Sequence, residues 1–186
     1  MSAVKSNLAR KAFITVIIVF ALPVILAKLA LNYQWFDYGV TNYGQLYSTP
    51  ISLADLSLNE HDINEQWLLL YVPNKDCRHV CQQALTTLNS TFVLLGKEIP
   101  RVTPVILSEE ELFSTHREQL THRKWQQWSL TRKATSRLKE GEVIIVDPLG
   151  NLVLKHQTPV SDTSLVTFGK EVLADMKKLL KYSRVG

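Results

Sequence analysis

Apolar residues along this chain fall into unbroken runs and into helical stripes, and their alternation sets an order of elements. From Ala12 to Leu31 the chain is largely apolar and its only charge is Lys28, placed near the end of the run where its ammonium can reach an interface. At about 1.5 Å per residue such a run crosses a hydrocarbon core of about 30 Å. Beyond a polar stretch with Gly39, Gly44 and Pro50, the segment Ile51 to Leu58 alternates weakly and fits a short strand or a turn beside one. Trp67 to Val72 is continuously apolar and stops at Pro73-Asn74, the pattern of a strand buried on both faces. Val80, Ala84, Leu85, Leu88, Phe92 and Leu95 then recur at mostly three- and four-residue intervals, which predicts an amphipathic helix from about Arg78 to Leu95, capped by Asp76 and stopped by Gly96.

The second half repeats the theme. Val102 to Leu107 is a second, largely apolar run, and Ser108-Glu109-Glu110-Glu111 has the spacing of a capping box. A polar helix is expected over Leu112 to about Lys124, packing or ending near Trp125, Trp128 and Leu130. Val143 to Val146 is the next strand, Asp147-Pro148-Leu149-Gly150-Asn151 a tight turn, and Leu152 to Lys155 the returning antiparallel strand. Leu165, Val166, Phe168, Val172, Leu173, Met176, Leu179 and Leu180 mark a terminal helix over 164–181 with a basic end. The order is strand, helix, strand, helix, strand, turn, strand, helix, and the turn is too short to hold a crossover helix. The expected fold class is therefore α/β: a thioredoxin-like mixed sheet flanked by helices, preceded by one N-terminal transmembrane helix. The corresponding organisation is a cytoplasmic N-terminus at 1–11, the transmembrane helix at 12–31, a linker at 32–50 and a periplasmic thioredoxin-like domain at 51–186.

Charge adds direction to this plan. Lys5, Arg10 and Lys11 precede the apolar run, whereas after Lys28 no Lys or Arg occurs before Lys75, so the amino end is expected in the cytoplasm and the rest across the membrane. Tyr33, Trp35, Phe36 and Tyr38 fall where an outer aromatic belt belongs. The run is longer than the ~7 to 15 residues of a signal-peptide core and no Ala-x-Ala site follows, which favours an uncleaved anchor. A net charge of +4 is spread among interleaved acids rather than gathered into a stripe, which argues against nucleic acid as a partner. The 186 residues, 46% hydrophobic, suffice for one ordinary core with appendages.

Candidate chemistry is concentrated in Asp76-Cys77-Arg78-His79-Val80-Cys81, which holds both cysteines of the chain directly after the first long strand. If a helix begins near Cys77, the i, i+4 spacing puts both sulfurs on one face at the positive end of its dipole, where thiolates are favoured. Two such thiols can close a disulfide, exchange one, or grip a soft ion such as Cu(I). In an exchange reaction Cys77, nearer the helix start, is the expected attacking thiolate and Cys81 the resolving one. In a bacterial cell the pair would face the periplasm, where disulfides persist. His79, between the cysteines, and His156, after the last strand, are the further candidate metal ligands. No Ser/His/Asp set, phosphate-cradling glycine loop or paired-carboxylate motif stands out.

The anchor, the strand ending in Leu70-Tyr71-Val72, the Cys77-Arg78-His79-Val80-Cys81 motif and the Val146 to Gly150 turn resemble the Sco/SenC proteins, thioredoxin-fold assembly factors for the copper centre of cytochrome c oxidase. The chain looks closer still to the small membrane-anchored Sco-like proteins encoded with bacterial cytochrome oxidase genes. With these it shares Thr41 to Gly44, Val146 to Leu152 and the basic tail from Leu179. The resemblance implies an oxidase assembly factor of the bacterial inner membrane, partnered by a cytochrome c oxidase subunit or its assembly factors, acting by thiol-disulfide exchange or by Cu(I) delivery. It also implies an assembly factor more than a turnover enzyme. Two departures bear on that choice: Arg78 and Gln82 replace the prolines of the Sco Cys-Pro-x-x-Cys-Pro motif, and Lys139 stands where those proteins place a ligand histidine. An ammonium is a poor copper partner, which tilts the expectation to the thiol role. The alternative from another class is a non-catalytic accessory subunit of a respiratory oxidase.

Overall fold

The computed structural model of the chain describes residues 2–33, 41–58, 63, 65–109, 120, 122 and 124–183; of residues 2–9, 162 and 163 only the backbone is described. The first apolar run is wound into α1 (Ser2–Asn32), with Pro23 inside it. Within α1, Arg10–Asn32 has a mean hydropathy of 2.7, and side chains such as Phe13 and Phe20 lie open on its surface. A helix this long with an apolar exterior fits a membrane anchor. The chain divides after Thr41, and residues 42–186 form a second unit with its own core.

That unit is built on a six-stranded mixed sheet: β1 (Gln45–Leu46), β2 (Trp67–Val72), β3 (Val102–Ser108), β4 (Gln126–Ser129), β5 (Glu142–Val146) and β6 (Leu152–Gln157), in the order β1-β6-β5-β2-β3-β4. β2, β3 and β4 are parallel neighbours, whereas β5 and β6 run antiparallel in the other half and β1 pairs antiparallel with β6. Every residue of β2, β3 and β5 is buried, because helices cover one face and an irregular layer covers the other. On the first face α2 (His79–Val93) and α4 (Asp162–Tyr182) pack against residues such as Tyr71, Ile106 and Val143 through Leu85, Phe92 and Val172. On the second, Leu53, Leu56 and Leu58 close over Leu70, Leu107 and Ile144 together with Ala134 of the short α3 (Arg132–Arg137). Thr131 caps α3 by accepting the Ala134 N–H at 3.1 Å, and its own hydroxyl donates to the Leu56 carbonyl, so the second layer is tied together.

The four expected long strands and the helix after the cysteine motif are present, and the Asp147 turn joins β5 to β6. Its carboxylate accepts the N–H groups of Leu149 and Asn151 at 2.9 and 2.8 Å, which explains why aspartate opens it. The sheet is wider than expected by one strand at each edge. β4 follows where a packing helix end was expected: Trp128 turns inward while Gln126 and Ser129 face out. The expected helix over Leu112 to Lys124 lies mostly outside the described residues, as do most of the aromatic belt and the end of the basic tail.

Candidate functional site

The motif Asp76 to Cys81 sits at the carboxyl end of β2, where the strand gives way to α2. Its geometry departs from the sequence expectation in where the helix starts: α2 begins at His79, so Cys77 precedes the helix and only Cys81 lies in its first turn. Cys77 has φ +27°, a value incompatible with helix continuation for a residue bearing a Cβ, and its N–H donates to the Asn74 carbonyl at 3.0 Å in a turn. The Cα atoms of Cys77 and Cys81 are 4.9 Å apart, less than the ~6 Å of axial rise that four helical residues would impose. The two sulfurs are joined in a disulfide. The helix cap is Arg78 rather than Asp76, and it offers no side-chain acceptor. Asp76 instead meets the Arg78 guanidinium at 3.3 Å on the open surface, a pair of little energetic weight. No side chain caps the helix, and its first turn offers a thiolate beside it the positive end of the helix dipole.

Cys77 and Cys81 are 3% and 5% exposed, yet both line a surface cavity of about 470 Å³ bounded by the loop from Asn74 to Cys81 and by Glu140. Glu140 arrives from the loop before β5. That loop is fastened to the end of β2 by the Gly141 N–H, which donates to the Val72 carbonyl at 2.7 Å, while the Gly141 carbonyl accepts the Thr158 N–H at 2.8 Å. Gly141 has φ +75°, and a Cβ there would meet Thr158 Oγ1 at 2.6 Å, so only glycine lets the loop run this close.

The predicted site residues separate into two groups. His79 is exposed, lines the same cavity as the cysteines, and has Nε2 at 3.3 Å from Gln83 Nε2. His156 is elsewhere: on β6, with Nε2 3.2 Å from Asp175 Oδ2 of α4 and its ring edge-on to Phe168. The Asp175 carboxylate also accepts the N–H groups of Tyr43 and Gly44 at 3.1 and 2.8 Å. Burial pushes the His156 imidazole below its ordinary value of 6.5, and the neighbouring Asp175 opposes that shift. Lys139 lines the polar cavity around His156, not the cavity of the cysteines, and its backbone N–H donates to Glu142 at 3.0 Å. From the loop that holds Lys139, the residue facing the dithiol is Glu140, which sequence reading passed over because attention fell on its neighbour.

From this loop Glu140 lines the cavity of the cysteines, and a carboxylate is a hard donor that Cu(I) disfavours. Among the described residues no cluster of three or more His, Cys, Asp or Glu is arranged to hold a metal. His79 is the imidazole that lines the cavity of the cysteines, and His156 lines a different one.

The model of the transmembrane-like, thioredoxin-like C-terminal domain family matches residues 67–183, more than half of the chain and all of the sheet except β1. The chain belongs to this family. Membership agrees with the strand-to-helix placement of the cysteine pair and with the thioredoxin-like order of the sheet. Among solved structures, the chain resembles a SCO1/SenC family lipoprotein from Bacillus anthracis, with 12% identity, a TM-score of 0.50, and coverage of 78% of this chain and 99% of that one. It is also similar to the apo Sco1 protein of Thermus thermophilus, at 16% identity and a TM-score of 0.49 over 76% and 99% of the two chains. A thiol:disulfide interchange protein from Bacteroides sp. follows at 16% identity and a TM-score of 0.47 over 76% and 91%. No curated protein sequence matches the chain. At 12% identity the likeness to the lipoprotein concerns the fold alone, and the chemistry has to be argued from the site.

Proposed function

We propose that the protein is a membrane-anchored thiol-disulfide exchange factor that prepares cysteines of a cytochrome c oxidase subunit, or of its assembly factors, for copper entry. The observation that carries this reading is the Cys77–Cys81 disulfide set at the mouth of α2 and lining a surface cavity. Bridging residues so close in sequence constrains the unfolded chain little, so the bond is a poor investment in stability alone. In the reaction, Cys77 as thiolate attacks one sulfur of a partner disulfide, whose S–S bond breaks; the departing partner sulfur leaves as a thiolate and takes up a proton. Cys81 then attacks the Cys77 sulfur of the mixed disulfide, forming the intramolecular bond and releasing the second partner thiol. The partner gains two electrons, the protein loses them, and a dithiol donor on the same side of the membrane restores the reduced state. The uncapped first turn of α2 stabilises the thiolate at each stage. The positive residues before the span support an inner-membrane orientation with the domain in the periplasm, where the partner's cysteines would be met.

The test is complementation. In a strain lacking the protein, the Cys77→Ser, Cys81→Ser variant should insert into the membrane at normal level yet fail to restore the copper-dependent absorbance and activity of the oxidase. Full restoration by that variant would make the chain a non-catalytic accessory subunit.

A further inference from the structure

Beside the disulfide lies a second cavity that the exchange reaction does not use. It measures about 210 Å³ and opens at the carboxyl ends of β2 and β3, with Leu130, just past the end of β4, also on its wall, the edge at which α/β sheets hold ligands. Its walls are apolar, from Val72, Leu107, Leu130 and Leu138, with the buried Ser108 among them, and its exposed lip is polar, from Glu109 and Thr135. Asn74, Lys75 and Glu140 line both this cavity and that of the cysteines, so a chain crossing one reaches the other directly. The volume is below the ~300 Å³ at which small-molecule sites begin, and suits a single side chain.

We propose that this cavity is a specificity subsite that receives one apolar side chain of the partner segment bearing the exchanging cysteine. The occupant follows from three observations together: continuity with the dithiol cavity, apolar walls behind a polar lip, and the burial of the two sulfurs. A disulfide only 3% and 5% exposed at its two residues gives free thiols little access, so a partner must be docked before its sulfur is aligned. An extended segment laid across Asn74 and Lys75 supplies that docking, with alternate side chains directed to the same side. An apolar side chain in the neighbouring cavity then fixes its register. The identity of the occupant rests on the thiol reading above.

The experiment uses the full chain in lipid nanodiscs and a set of short peptides with one cysteine, in which a single leucine is moved through the positions flanking it and compared with glycine. Each peptide is measured twice: for the rate at which it opens the Cys77–Cys81 bond, and, as its Cys→Ser version, for equilibrium binding. At one position leucine should raise both the rate and the affinity about tenfold, as burial of part of a leucine side chain would give. Thr135→Trp, which fills the cavity from its exposed lip, and independently Leu130→Phe, should remove the preference, while Thr135→Ser should keep it. Equal rates and affinities for all peptides, or a preference that survives in both filled variants, overturn the subsite and leave the thiol reading standing. Leucine-dependent binding that the filled variants abolish, with no opening of the disulfide by any peptide, overturns the thiol reading and leaves the subsite standing.

Discussion

Cys77 holds its backbone at φ +27°, a crowded conformation for any residue with a Cβ, and does so at the one position where the bond to Cys81 over-determines it. Opening that bond removes the constraint. On reduction, the amide resonances of residues 74–81 should move, along with that of Glu140 across the cavity, while those of β1 and β6 stay in place; a comparison of oxidised and reduced spectra checks this. The roles of the two sulfurs are separable as well. Cys81→Ser should accumulate a mixed disulfide with a partner peptide, visible as a mass adduct, and Cys77→Ser should not, because the attacking sulfur is gone. Gly44 offers a contrasting residue-scale test, remote from the cysteines in the sheet. A Cβ there would run into Leu154 Cδ2 and would meet His156 Nε2 at 2.7 Å and the Lys155 carbonyl at 2.8 Å. Gly44→Ala should therefore cost about 2 kcal/mol, read from urea unfolding of the domain signal.

Among elements, α4, β6 and the segment leading into β1 meet at the buried His156–Asp175 pair. The folded imidazole titrates below 6.5 because burial disfavours its charged form. Below about pH 6.5 the unfolded chain binds a proton that the folded one resists, so this contribution to stability is complete above that pH and falls as pH drops toward the folded value. Unfolding midpoints of the wild type should decline on acidification through this range by at most about 1.4 kcal/mol per pH unit from this group, and His156→Gln should flatten that part of the curve. The elements also show what could be read from sequence. β2, β3 and β5 announce themselves because strands buried on both faces are largely apolar, β2 without a break. β1 and β4 do not, since a two-residue edge strand has no period and Gln126-Gln127-Trp128-Ser129 presents only one buried side chain. The offset of Cys77 from the helix was equally hidden, because nothing in the side chain of cysteine signals a positive φ. Glu140 became visible only when the turn through Gly141 brought its loop against the end of β2.

At the scale of the whole molecule, an apolar helix precedes a domain whose dithiol is its one concentrated piece of sulfur chemistry. The proposed orientation predicts that a membrane-impermeant thiol reagent, added to spheroplasts after mild reduction, labels Cys77 and Cys81 from outside without lysis; labelling that requires lysis would reverse the topology. The fastening of the segment after the helix has a mechanical consequence. A pull transmitted along the chain passes Asn42, whose side-chain oxygen accepts from Lys178, then the Tyr43 and Gly44 N–H groups held by Asp175, and next the two residue pairs of β1 with β6. Only after the buried Leu53, Leu56 and Leu58 does the chain arrive at β2, whose far end carries the cysteine loop. The tether is thus moored at one margin of the sheet, and the reactive loop is insulated from its tension.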